Sequence, residues 1–104
     1  IYDQSQAAEQ AGVKTLVFRT GPLKGAGTPG EPITEDQTGH FQKLVNEVQT
    51  HFDHAVRSGR GMSAAQLAAV RSGGVFPADE AKSLGLIDGV RSLDSTLAAL
   101  SAAK

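Results

Sequence analysis

Apolar residues recur along this chain with two different periods. Phe41, Leu44, Val45, Val48, Phe52, Ala55 and Val56 fall at offsets of three and four, which predicts a helix with one apolar face turned to a core. Thr34 and Gln37 form a T-x-x-Q capping box ahead of it, Glu35 and Asp36 suit the dipole in its first turn, and Gly59 marks its expected end. Val13 to Thr20 reads VKTLVFRT instead. Its β-branched and aromatic residues, around a continuous Leu16-Val17-Phe18 centre, predict a strand covered on both faces. Before it, Asp3 or Ser5 caps a short alanine-rich helix that stops at Gly12. Downstream, Ser63 and Gln66 open a short helix carrying Leu67 and Val70, closed by Gly73-Gly74. Gly74-Val75-Phe76 is strand-like, Pro77 starts a helix that Gly85 ends, and Leu86 to Val90 reads as a short buried strand and turn. Ser92 caps a last helix with Leu93, Leu97 and Leu100 on one face.

A helix feeding a buried strand predicts an α/β layer, in which the start of the chain is the return leg of a βαβ unit. The 104 residues leave room for one domain or part of one. The hydrophobic share of 39% leans on alanine, and Tyr2, Phe18, Phe41, Phe52 and Phe76 are the only aromatics, so the core is thin. Cover from another chain or segment is expected. A net charge of −1 with interspersed signs offers no basic patch, which argues against nucleic acid as a partner. The lack of cysteine excludes disulfides and thiolate metal sites and leaves the compartment open. No stretch approaches the ~20 apolar residues of a membrane span, and the N-terminus lacks signal-peptide character. Membrane association is therefore expected only through a segment upstream.

Residues 21–32, GPLKGAGTPGEP, are too rich in glycine and proline for a regular element and predict a shaped loop. Gly25-x-Gly27-x-x-Gly30 matches a dinucleotide fingerprint in letters alone. Glu31-Pro32 separates it from the next helix cap, so no helix N-terminus meets a pyrophosphate, and Lys24 precedes the glycines rather than following them as in a phosphate loop. His40, Glu47, His51 and His54 share an azimuth of the long helix. Further ligands for a metal are not visible, so this stripe reads as a solvated or subunit-facing flank. None of the serines sits in the glycine-flanked elbow a nucleophile needs, and Ser63 and Ser92 are explained as caps. Lys24 is the remaining candidate for chemistry. A loop lysine is usually a solvated surface group, whereas burial would disfavour its ammonium and make it a base. Composition leaves both readings open.

The stretch Val17-Phe18-Arg19-Thr20-Gly21-Pro22-Leu23-Lys24-Gly25-Ala26-Gly27-Thr28-Pro29-Gly30 resembles the strand and loop of the signal peptide peptidase A (protease IV) family, in which a lysine after G-x-x is the general base. The resemblance continues through Ile33-Thr34-Glu35-Asp36-Gln37, the Phe52, Val56 and Arg60 spacing, and Gly74-Val75-Phe76 with Ala81 to Asp88, from about Tyr2 to Leu93. The A-x-x-x-G-L-I-D module is shared more broadly with the Clp protease proteolytic subunit and crotonase-type folds. The resemblance implies an α/β ClpP/crotonase-like superhelical fold, with residues 1–104 as the C-terminal part of a serine peptidase domain acting on remnant signal peptides or other polypeptides. It assigns the base to Lys24, places the serine on a segment upstream of Ile1, needs no metal or organic cofactor, and suggests a homo-oligomer in a bacterial membrane-associated or cytoplasmic setting. Pro22-Leu23 replaces the longer or more polar pair often found before that lysine. The rival expectations are a phage capsid-maturation protease segment, a non-catalytic assembly module, and a crotonase-like acyl-CoA enzyme. On the peptidase reading, the long helix buries Phe41, Leu44, Val48 and Phe52 and leaves His40, Glu47 and His51 accessible, while Lys24 faces a concave side.

Overall fold

The computed structural model describes residues 1–103, which fall into two compact units, Ile1–Gln49 and the residues from Thr50 onward. Five helices are present among the described residues: α1 (Ser5–Gln10), α2 (Glu35–Arg60), α3 (Ala64–Val70), α4 (Ala78–Ser83) and α5 (Leu93–Ala102). No strand occurs among the described residues. The strands expected at Val13–Thr20, Gly74–Phe76 and Leu86–Val90 are therefore corrected. A β-ladder requires a neighbouring strand to receive its N–H and C=O groups, and none of these segments has one among the described residues. The α/β class is thus not what the described residues form by themselves.

In the first unit, the Asp3 carboxylate accepts the Ser5 N–H at 2.9 Å and the Ser5 hydroxyl at 2.6 Å through one oxygen, and the Ile33 N–H at 3.0 Å through the other. The Ser5 hydroxyl, the Ser5 N–H and the Ile33 N–H hold that carboxyl below its usual range, in that order of importance. Gly12, with φ of 71°, ends α1, and the Val13 N–H reaches back to the Ala8 carbonyl at 2.9 Å, closing a Schellman motif. Beyond it the chain keeps a two-residue alternation without forming a ladder. Thr15, Val17 and Arg19 are half-buried, whereas Leu16 and Phe18 are exposed, Phe18 to 94%. The half-buried side faces the glycine-rich loop: the Thr15 hydroxyl donates to the Pro29 carbonyl at 3.0 Å, and Arg19 pairs with Glu31. Gly30 lies so close to this segment that a Cβ there would overlap the Thr15 hydroxyl.

The loop ends at the expected capping box. The Gln37 N–H donates to the Thr34 hydroxyl and the Thr34 N–H to the Gln37 side-chain oxygen, each at 3.2 Å. The helix that follows runs past Gly59 to Arg60. It stops where Gly61 takes a φ of 61° and the Met62 N–H bonds the Arg57 carbonyl at 3.0 Å, so the expected end at Gly59 is moved by two residues. His40, Glu47 and His51 are exposed, as expected. The apolar face is not buried. Phe41 is half-covered, and Leu44, Val45, Val48 and Phe52 are exposed. The buried positions on this helix are instead polar, Gln37 and Asp53.

In the second unit, Met62, Leu67 and Ala81 are the buried hydrophobic residues. Ser63 and Gln66 form the expected box at α3, at 3.2 and 2.8 Å, and Ser92 caps α5 through the Ser95 N–H at 3.2 Å. Asp53 is tied to Arg71 at 2.9 Å. The Gly85 stop of α4 is as expected, with φ of 79° and the Leu86 N–H bonding the Ala81 carbonyl at 2.9 Å. Val75 is 97% exposed, and the Leu93, Leu97 and Leu100 face of α5 is uncovered.

These placements fix two expected outcomes for the 104-residue chain in urea denaturation. Phe52→Ala should cost under about 1 kcal/mol, rather than the ~3–5 kcal/mol of a buried ring, because Phe52 is 62% exposed. Gln37→Ala should cost about 1–3 kcal/mol, since it removes a cap and a buried hydrogen-bonding amide together. A larger loss for Phe52 than for Gln37 would overturn both assignments.

Candidate functional site

Lys24 is the fourth residue of the first of three tight turns in the loop. Its N–H bonds the Gly21 carbonyl at 3.1 Å, and further turns follow from Thr28 to Gly25 at 3.1 Å and from Glu31 to Thr28 at 3.2 Å. Its ammonium nitrogen donates to the Thr20 hydroxyl oxygen at 2.6 Å. The side chain thus reaches back to the last residue of the Val13–Thr20 segment. It is exposed, and three cavities on this unit are lined by other residues: one of about 440 Å³ by Ser5, Gly12, Lys14 and Gly30 among others, one of about 400 Å³ by Ala8, Thr15 and Pro29 among others, and one of about 280 Å³ by Ile1, Ile33, Phe41 and Val45 among others. A concave side at Lys24, as expected, would need a second layer packed against the loop.

Two features that sequence reasoning missed hold this loop in place. The Gln37 side chain, 1% exposed, donates to the Pro22 carbonyl at 3.0 Å while its oxygen completes the cap of α2. One amide therefore joins the helix start to the backbone two residues before Lys24. Gln37 showed in the sequence as a cap, but its second bond spans fifteen residues and has no pattern. Thr20 was missed for a related reason. Its spacing of four from Lys24 straddles Gly21-Pro22, where helical rules for i, i+4 neighbours do not apply.

A second cluster forms in the other unit. Arg60, at the last position of α2, donates from Nε to the Gly85 carbonyl at 2.7 Å and from its terminal nitrogen to Asp88 at 2.9 Å. Two pieces of the sequence resemblance, the Arg60 spacing and the G-L-I-D module, are thereby brought together. The Arg60 hydrogen bond, then its charge, hold the Asp88 carboxyl below its usual range, and Arg91 adds a smaller push in the same direction. A cavity of about 610 Å³ opens beside them, lined by Leu86, Ile87, Ala99 and Leu100 as well as these charges.

Residues 1–104 match peptidase family S49 over their whole length, and the chain belongs to that family. The resemblance to the signal peptide peptidase A type is borne out at this level. Among curated proteins, the chain is similar to "Putative protease MJ0651" of Methanocaldococcus jannaschii, with 26% identity over 89 residues. That match covers 86% of this chain and 29% of the relative, so the chain spans less than a third of the relative's length.

Because the folded state depresses the Asp88 carboxyl, its contribution to stability is present above the ordinary value of 3.8 and is lost as the pH falls below it. Asp88→Asn should therefore lower the unfolding midpoint more at pH 7 than at pH 3. An equal loss at both pH values would show that Arg60 does not act on Asp88 through its charge.

Proposed function

We propose that this chain is the lysine-bearing, C-terminal part of a serine peptidase with the α/β ClpP/crotonase-like superhelical fold, and that Lys24 is its general base. The observation that carries the reading is the family membership over residues 1–104, together with the placing of Lys24 after Gly21-Pro22-Leu23 in a loop fastened at both ends. In this reading a serine on another segment of the same protein attacks the carbonyl carbon of a peptide bond while Lys24 takes the hydroxyl proton. Lys24 then gives a proton to the leaving amine, and water releases the acyl group from the serine by the same sequence. No metal or organic cofactor enters these steps. The substrates are remnant signal peptides or other exposed polypeptides.

The uncovered residues support the fold part of the proposal. Leu16 and Phe18 form one bare side of the Val13–Thr20 segment, and the apolar side of α2 is also open. A neighbouring strand and a second layer would cover them and would give Lys24 the shielding that a lysine base requires, since burial disfavours the ammonium. The same bare faces favour a second reading, a non-catalytic assembly module whose helices join subunits of a homo-oligomer.

A serine-directed acylating probe separates the two. The 104-residue chain should stay unlabelled, and a polypeptide extended upstream to include a glycine-flanked serine should be labelled and should cleave peptides. Lys24→Ala in the extended polypeptide should lower acylation by at least about 100-fold, the scale of general base catalysis. Labelling of the 104-residue chain at one of its own serines, or full activity without Lys24, would sink the peptidase mechanism.

A further inference from the structure

The Lys24 amine has a chosen partner, and the chemical type of that partner carries a consequence. Thr20 Oγ1 lies 2.6 Å from Nζ. Both residues are anchored through their neighbours: Arg19 pairs with Glu31 on one side of Thr20, and the Pro22 carbonyl is held by the buried Gln37 on the other. The Lys24 N–H to Gly21 carbonyl bond closes the turn between them. The backbone between the two residues is thus braced, which keeps the Thr20 hydroxyl within reach of the Lys24 amine.

A carboxylate in place of Thr20 would favour the ammonium and keep the proton on Lys24. A hydroxyl oxygen accepts an N–H from the ammonium and from the neutral amine alike. It therefore fixes the direction of the nitrogen without fixing its proton. With one N–H so engaged, the lone pair of the neutral amine is restricted to the two remaining tetrahedral positions, which narrows the directions from which it can take a proton from a nearby hydroxyl. The β-branch of Thr20 adds to this by restricting χ1, so the acceptor itself is held more firmly than a serine hydroxyl.

We infer that Thr20 is a positioning residue for Lys24, steering its amine through both protonation states. The inference rests on the reading of Lys24 as a base, but its first test needs no serine. In the 104-residue chain, trace acetylation followed by mass spectrometry compares Lys24 with Lys14, Lys43 and Lys82 as internal references. Thr20→Val should raise the relative labelling of Lys24 about two- to fivefold, the worth of one exposed hydrogen bond, and Thr20→Ser should stay near the native value. Equal labelling in all three proteins would overturn the contact. In the serine-containing polypeptide, Thr20→Asp should move the pH profile of acylation to higher pH. Thr20→Val should lower kcat with KM little changed, and Thr20→Ser should restore most of it. A Thr20→Asp profile that superimposes on the native one would overturn the steering role, whereas failure of the Lys24→Ala test would remove the base assignment itself.

Discussion

The side-chain amide of Gln37 is the contact on which the arrangement around Lys24 depends. Its oxygen caps α2, its nitrogen holds the Pro22 carbonyl, and it is almost fully buried while doing so. A buried amide that loses either partner keeps its desolvation cost without compensation, so both bonds are retained together or lost together. This couples the start of a long helix to a loop that has no regular hydrogen bonding of its own. Glycines give the loop its turns, but they also make it entropically expensive to order, and the Gln37 and Glu31 contacts offset that cost at two points.

Polar fastening has this weight because apolar burial is scarce. Met62, Leu67 and Ala81 are buried, whereas the larger hydrophobics of α2 and α5 lie open. In the second unit, Arg60 does for the G-L-I-D turn what Gln37 does for the Lys24 loop, gripping a carbonyl and a carboxylate at once. Each unit thus has a side chain from α2 that holds a loop by its backbone. Such contacts define where functional groups stand without supplying a deep core, and bare apolar faces remain for other polypeptide to cover.

Membership of peptidase family S49 spans both of these loops. Under the proposed role of Lys24 as a base, orientation comes from neutral groups, the Gln37 amide that holds its loop and the Thr20 hydroxyl that meets its amine. In that proposal a neutral partner directs the amine without adding a charge that favours the ammonium.

The sequence by itself determined the helix starts and stops. The boxes at Thr34/Gln37 and Ser63/Gln66, the Ser92 cap and the glycine stops at Gly12 and Gly85 are satisfied within three to five residues, so their chemistry is complete in the local string. The family and the position of Lys24 in its loop were legible for the same reason, as an ordered set of local motifs. Only the tertiary structure decided that VKTLVFRT forms no ladder here, that the α2 face stays open, and that Arg60 meets Asp88 across 28 residues. Burial and strand pairing depend on what lies opposite a segment, and an apolar pattern states that cover is needed without supplying it. The Gln37 bond to Pro22 and the Thr20 bond to Lys24 follow the same logic, because each needs a turn geometry that brings two particular atoms within 3 Å, and residue types alone do not fix that geometry.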